Sequence, residues 1–252
     1  MKKIIKKIIH SNKILFNFYY NCIWRPPKNS YMEILNNYSK KNRKKNIRFI
    51  QIGANDGEID DPINRFIKRD KWSGILIEPQ KTIFKRLKKN YVGYPGLIFE
   101  NCAVSEKREQ KKLYKLKFTD SRWASGLSSF DKKLIELMIE AGYIERNAKK
   151  DNIELPESKE DYITFDIVEC YTLEDIIVRN NFHNPDLIIL DVEGYEEKII
   201  ESIDYDLISP KIIIYENTRM NEESRKNIEK KLSKYNYVFF NDISDTLAYK
   251  KK

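Results

Sequence analysis

A chain of 252 residues with 41% hydrophobic and 12% aromatic content can bury a sizeable core, which excludes global disorder. Its formal charge of +9 is unevenly placed: residues 1–45 hold twelve Lys/Arg and one acid, Glu33, while the remainder is close to neutral. A neutral body lacks the basic face that a nucleic-acid site needs. Three scattered cysteines (Cys22, Cys102, Cys170) and two histidines (His10, His183) argue for a reducing compartment and against structural zinc.

The front end reads as a basic amphipathic helix. Ile4, Ile5, Ile8, Ile9, Leu15, Phe16 and Tyr19 share one side of the wheel, and Lys2, Lys6, Lys7 and Lys13 the other. Such a helix either touches an anionic membrane surface through residues 1–20 or packs on its own body with the lysines in water. No apolar run is long enough to span a bilayer, and charges interrupt too early for a signal peptide. The expected location is cytoplasmic, at most peripheral at the inner face of the membrane. Arg25-Pro26-Pro27 ends the helix, a second short helix covers about Tyr31 to Tyr38, and Lys40 to Lys45 is a solvated linker. This divides the chain into a helical extension, 1–45, and one domain, 46–252.

The domain opens with the apolar run Ile47 to Gln51, then Ile52-Gly53-Ala54-Asn55-Asp56-Gly57, then a helix start at Asp61-Pro62. A glycine turn between strand and helix either is an ordinary tight turn or brings backbone N–H groups and a helix N-terminus up to a ligand. Gly74-Ile75-Leu76-Ile77-Glu78-Pro79 is a second buried strand, ending in an acid 21 positions after Gly57. That is the spacing at which nucleotide-binding α/β folds grip a ribose diol, to which a carboxylate can offer two acceptors.

Lys81 to Asn90 is a helix, Leu97 to Ser105 a third strand, and Lys111 to Phe118 an edge hairpin strand. Residues 119–165 read as an insertion covering the substrate site, with a helix around Lys132 to Gly142. Regular alternation resumes with a strand, Ile163 to Tyr171, and a helix capped at Thr172. Asp186 to Asp191 is a continuous apolar run, as in a central parallel strand, and Lys211 to Asn217 repeats it. A helix over Asn221 to Lys234 and a strand pair, Tyr237 to Phe240 with Thr246 to Tyr249, complete a doubly wound, mostly parallel sheet.

Acids stand at three strand tips, Glu78, Asp191 and Glu216, along the edge where open parallel sheets bind ligands. Two assignments compete for the second and third. In one, Asp191, Glu216 and Asn217 form a hard oxygen site for Mg²⁺. In the other, metal-free, Asp191 or Glu193 is a general base, with His183 a weaker candidate.

Together, the Gly53–Gly57 turn, Ile77-Glu78-Pro79, Ala103-Val104-Ser105, Ser125 to Ser129, Thr172 to Asp175 and Leu190-Asp191-Val192-Glu193-Gly194-Tyr195-Glu196 resemble the FkbM-type methyltransferases from about residue 47 to 217. The resemblance implies a seven-strand methyltransferase sheet with an antiparallel last strand, S-adenosylmethionine as donor, and O-methylation of a sugar or glycan. It implies that Gly53, Ala54, Asn55, Asp56 and Gly57 face the methionine part of the donor. Glu78, followed by Pro79, holds the ribose, Asn101, Cys102 and Ala103 flank the adenine, and Asp191 and Glu193 approach the methyl group. The family usually has an acid where this chain has Gln51, which weakens attraction for the donor's ammonium.

Other readings are an RNA or protein methyltransferase, a nicotinamide-dependent dehydrogenase, and a non-catalytic membrane-associated protein on the same scaffold. The first lacks an Asn-Pro-Pro-aromatic element, and the second lacks Gly-x-Gly-x-x-Gly.

Overall fold

The computed structural model describes Ile9 and residues 12–251. The front-end wheel positions Lys2, Ile4, Ile5, Lys6, Lys7 and Ile8 lie outside the described residues, as does His10.

Seven strands form one sheet in the order β3-β2-β1-β7-β8-β10-β9. They are β1 (Arg48–Ile52), β2 (Ser73–Ile77), β3 (Leu97–Glu100), β7 (Leu187–Leu190), β8 (Ile212–Glu216), β9 (Tyr237–Asn241) and β10 (Asp245–Lys250). β10, inserted between β8 and β9, runs antiparallel to both. Both faces of the sheet are covered. Ile50, Ile52, Ile188, Leu190 and Ile213 enter one apolar cluster, and the alternate residues Phe49, Leu187, Ile189, Ile212 and Ile214 enter the other. Period-2 alternation between two dry layers is why these strands read as unbroken apolar runs. Truncating one such isoleucine to Ala costs about 2–5 kcal/mol.

The expected third strand is two. β3 stays in the main sheet, whereas β4 (Ala103–Val104) joins a second, three-stranded sheet, ordered β4-β6-β5, with β5 (Glu109–Leu116) and β6 (Ile163–Tyr171). The break falls at Asn101, whose Nδ2 donates to the carbonyls of Glu78 and Pro79 and so turns the chain across the tip of β2. The Ile163 to Tyr171 strand therefore belongs to this small sheet.

Residues 119–165 are more helical than their pattern suggests. Beside the expected helix, Lys132–Glu140, there are a single turn, Arg122–Ser125, and a helix, Tyr143–Asp151, inside the polar stretch. Only Ile144 and Ala148 are buried on that last helix, too sparse a stripe to show in sequence. These helices share a separate apolar cluster around Ile135, Ile139 and Tyr162.

At the front, helix Lys13–Phe18 runs into a π-helical turn, Tyr19–Ile23, and a second helix spans Tyr31–Lys41. Its buried face differs from the one the wheel suggests. Phe16 and Tyr20 pack inward at i, i+4, and Leu15 points out at 43% exposure.

Candidate functional site

The tips of β1, β2 and β7 meet around a cleft. Three devices hold the tips together. The N–H groups of Gly53 and Ala54 donate to the carbonyl of Ile77 at 3.0 and 2.9 Å, and the N–H of Asp191 donates to that of Ile52 at 3.0 Å. The Gly53 backbone, at φ +79°, runs so close to β7 that a Cβ there would lie 1.8 Å from the Asp191 carbonyl oxygen. No residue but glycine fits.

Glu78 is buried at the floor, where its Oε2 accepts the Asn55 N–H at 2.9 Å and its Oε1 the Gln80 N–H at 2.8 Å. Burial pushes its carboxyl up to about 7, against the pull of these hydrogen bonds. The segment Arg122 to Phe130 forms the opposite wall. Ser125 Oγ lies 3.2 Å from the side chain of Asn55, and Gln80 is gripped by the Ser125 carbonyl and the Ser128 hydroxyl.

The third corner is acidic. Carboxylate oxygens of Asp191, Glu193 and Glu216 lie within 4.8 Å of one another. Glu193 adopts φ +55° and forms an ion pair with Nε of Arg219, from the loop after β8. Asp191 is pushed up to about 6 by packing around the cleft and by the Glu216 charge, against Arg122. Its residue surface remains exposed, so water in the cleft tempers the contribution of burial. Burial and the Asp191 charge raise Glu193 to about 8.

Eight of the residues expected from sequence line this cleft: Gly53, Asn55, Glu78, Pro79, Cys102, Ala103, Asp191 and Glu193. Others shape it from behind. Gln51 is buried and donates through Nε2 to Asp61 Oδ2 at 2.9 Å, so it does not face the cleft. Asp56 accepts the N–H groups of Glu58 and Ile59, and Ala54 is buried. Gly57 packs where a Cβ would strike Leu87 and Tyr91. Asn101 braces β2.

Asn217 donates through Nδ2 to Thr246 Oγ1 at 3.0 Å, and the carboxylate that meets Asp191 and Glu216 is Glu193. Two expectations are corrected by geometry. His183 sits before β7, at the opposite end of that strand from Asp191, which removes it as a base. The helix after the glycine turn begins only at Asn64, and Asp61 Oδ1 takes the N–H groups of Ile63 and Asn64, so this helix N-terminus is capped rather than aimed at a ligand.

Sequence reasoning did not single out Glu196. It is 1% exposed, accepts the N–H groups of Val192 and Gly194, and thereby fixes the loop carrying Asp191 and Glu193. The only signal was its place in Asp-Val-Glu-Gly-Tyr-Glu.

The family profile described as "Methyltransferase FkbM domain" matches residues 51–239, most of the chain. The chain belongs to that family. As an FkbM-domain protein it is an S-adenosylmethionine-dependent methyltransferase, and the sheet is the doubly wound methyltransferase sheet. Among solved structures, it is similar to methyltransferase FkbM from Methylobacillus flagellatus KT (12% identity, TM-score 0.44), covering 81% of this chain and 43% of that one. The chain thus spans less than half of that relative. It is also similar to precorrin-6y C5,15-methyltransferase from Geobacter metallireducens GS-15 (9%, TM-score 0.39, 90% and 93% covered). A third similarity is to the Methanococcus jannaschii fibrillarin pre-rRNA processing protein (12%, TM-score 0.40, 97% and 77% covered). No curated protein matches in sequence.

The cleft suits the donor of this FkbM-domain protein. A buried carboxylate on the floor can accept from a diol, and the acidic corner favours a sulfonium. Among the described residues no helix is long and apolar enough to cross a membrane.

Proposed function

We propose that this methyltransferase transfers the methyl group of S-adenosylmethionine to a hydroxyl of a sugar or glycan, in the making of a surface polysaccharide or a nucleotide sugar. The donor supplies a methyl on a positively charged sulfur, an activated leaving group. The protein must then hold donor and acceptor in line and draw off the proton of a weakly acidic hydroxyl.

The observation that carries this reading is Asp191: a carboxylate open to the cleft, directly across the Gly53 turn, pushed up to about 6 and so stronger as a base than an ordinary aspartate while still mostly ionised at neutral pH. Glu193 is raised to about 8, so at neutral pH it already holds its proton, which leaves Asp191 as the residue to receive one. Glu78 would accept the ribose hydroxyls, and Cys102 and Ala103 would line the adenine end.

A metal-assisted variant is favoured by one observation, the approach of Asp191, Glu193 and Glu216 to within 4.8 Å. Those three oxygen donors would suit Mg²⁺ as a Lewis acid for the same hydroxyl. We favour the metal-free route, since Arg219 already sits against Glu193, one of the three.

The test is incubation with methyl-labelled donor and a panel of nucleotide sugars, lipid-linked oligosaccharides and finished polysaccharide. Label is expected in a sugar as a methyl ether, and Asp191→Asn should abolish it. Label in RNA or protein instead, with none in sugar, would overturn the reading.

A further inference from the structure

The molecule has one face whose chemistry the methyl-transfer site does not use. Helix Lys13–Phe18 and the turn Tyr19–Ile23 bury Phe16 and Tyr20 against helix Asn64–Asp70. Arg69 Nη1 donates to the Tyr20 carbonyl at 3.2 Å, and Arg65 lies over the Trp24 ring at 4.8 Å. With that side seated on the body, the opposite side exposes four large apolar residues: Ile14 at 79%, Leu15 at 43%, Phe18 at 57% and Ile23 at 56%. Single exposed hydrophobics are ordinary, but four within ten residues form a patch.

The exposed run beside the patch is basic. Lys40, Lys41, Arg43, Lys44 and Lys45 are exposed, and Arg43 Nη2 donates to Asn21 Oδ1 at 3.4 Å, which sets this run against the turn that carries Ile23. Within the first 45 residues the one acid, Glu33, is turned to the Asn29 N–H at the start of its own helix. The first eleven residues contribute four more lysines and four isoleucines in sequence.

We propose that this N-terminal unit docks on the surface of an anionic lipid bilayer, with Ile14, Leu15, Phe18 and Ile23 entering the acyl boundary and the 40–45 basic run lying at the headgroups. Charge complementarity decides the occupant. Large aliphatic and aromatic side chains flanked by flexible cations match an interface that is apolar below and negative above. A nucleic acid would use the cations but leave these apolar groups in water. A second copy of this chain would set one basic run against another.

The experiment is co-sedimentation of the full chain with phosphatidylcholine vesicles and with equimolar phosphatidylcholine–phosphatidylglycerol vesicles. Binding is expected only to the second, weakening as salt rises. Phe18→Asp and Ile14→Asp should each lower it at least tenfold, and Lys44→Glu with Lys45→Glu should do the same. All these residues are exposed and remote from the cleft, so binding of S-adenosylhomocysteine should be unchanged, confirming that each variant folds. Absence of binding to the anionic vesicles overturns the proposal. So does binding indifferent to Phe18→Asp and Ile14→Asp, or displaced by short RNA, which would mark an electrostatic nucleic-acid surface.

Discussion

The backbone N–H of Asn55 donates to Oε2 of Glu78 at 2.9 Å, tying the glycine turn after β1 to the tip of β2 across 23 residues of sequence. The same carboxylate accepts the Gln80 N–H through its other oxygen. An ionised carboxylate has about four acceptor positions, so two remain for a ligand diol. Glu78 is therefore at once part of the frame and part of the site.

That dual role gives the unliganded protein an unusual pH dependence. Glu78 and Glu196 are both raised from 4.5 to about 7, chiefly by burial. Between those values the folded protein binds more protons than the unfolded chain. The stability these groups contribute is thus full below the unfolded value and lost as pH rises through the folded one. Thermal denaturation without ligand should show Tm falling from pH 5 to pH 8, and the slope should flatten in Glu78→Gln. A Tm that climbs over this range would contradict the assignment.

Gly53→Ala tests the closeness of β1 to β7. The new methyl would collide with the Asp191 carbonyl, and φ +79° adds strain of its own, so a loss of at least about 2 kcal/mol is expected. Urea denaturation should register it, together with loss of S-adenosylhomocysteine binding. An alanine variant as stable as the parent would mean the strands are farther apart.

Glu196 holds a loop and does not line the cleft. Glu196→Ala leaves the N–H groups of Val192 and Gly194 without acceptors and should cost about 2–5 kcal/mol, whereas Glu196→Gln, which keeps one acceptor, should cost less. In steady-state assays the glutamine variant should lower kcat more than it raises KM for the donor. Equal damage from both substitutions would show that charge, rather than acceptance, matters there.

Much of this was legible in the sequence, for physical reasons. Strands buried on both faces leave continuous apolar runs, which is why Asp186 to Asp191 and Lys211 to Asn217 can be read as central strands. Glycine turns and strand-tip acids are local signals too. What escaped was the long-range part. Nothing local shows that Asn101 would reach back to Pro79 and divide a strand, or that Asn217 would face Thr246 while Glu193 turned toward Glu216. Gln51 illustrates the same limit: it occupies the position of an expected acid, and its amide is held by the buried carboxylate of Asp61, ten residues on.

Asp191→Asn should reduce kcat at least about 100-fold, the usual contribution of a positioned base, while leaving S-adenosylhomocysteine affinity within a few-fold. Since the carboxyl titrates near 6, kcat/KM in the parent should rise with pH through that value and then level off. Turnover should survive EDTA. Loss of activity with EDTA, restored by Mg²⁺, would transfer the role to the metal-assisted route.

The most direct test of the central claim is calorimetric titration of S-adenosylhomocysteine into the parent protein and into Glu78→Ala. Binding is expected at one site in the parent, weakened about 10- to 100-fold in the variant through the loss of charge-assisted hydrogen bonds to the ribose. No heat of binding in the parent, or equal affinity in the two proteins, would contradict the assignment of this cleft to the methyl donor.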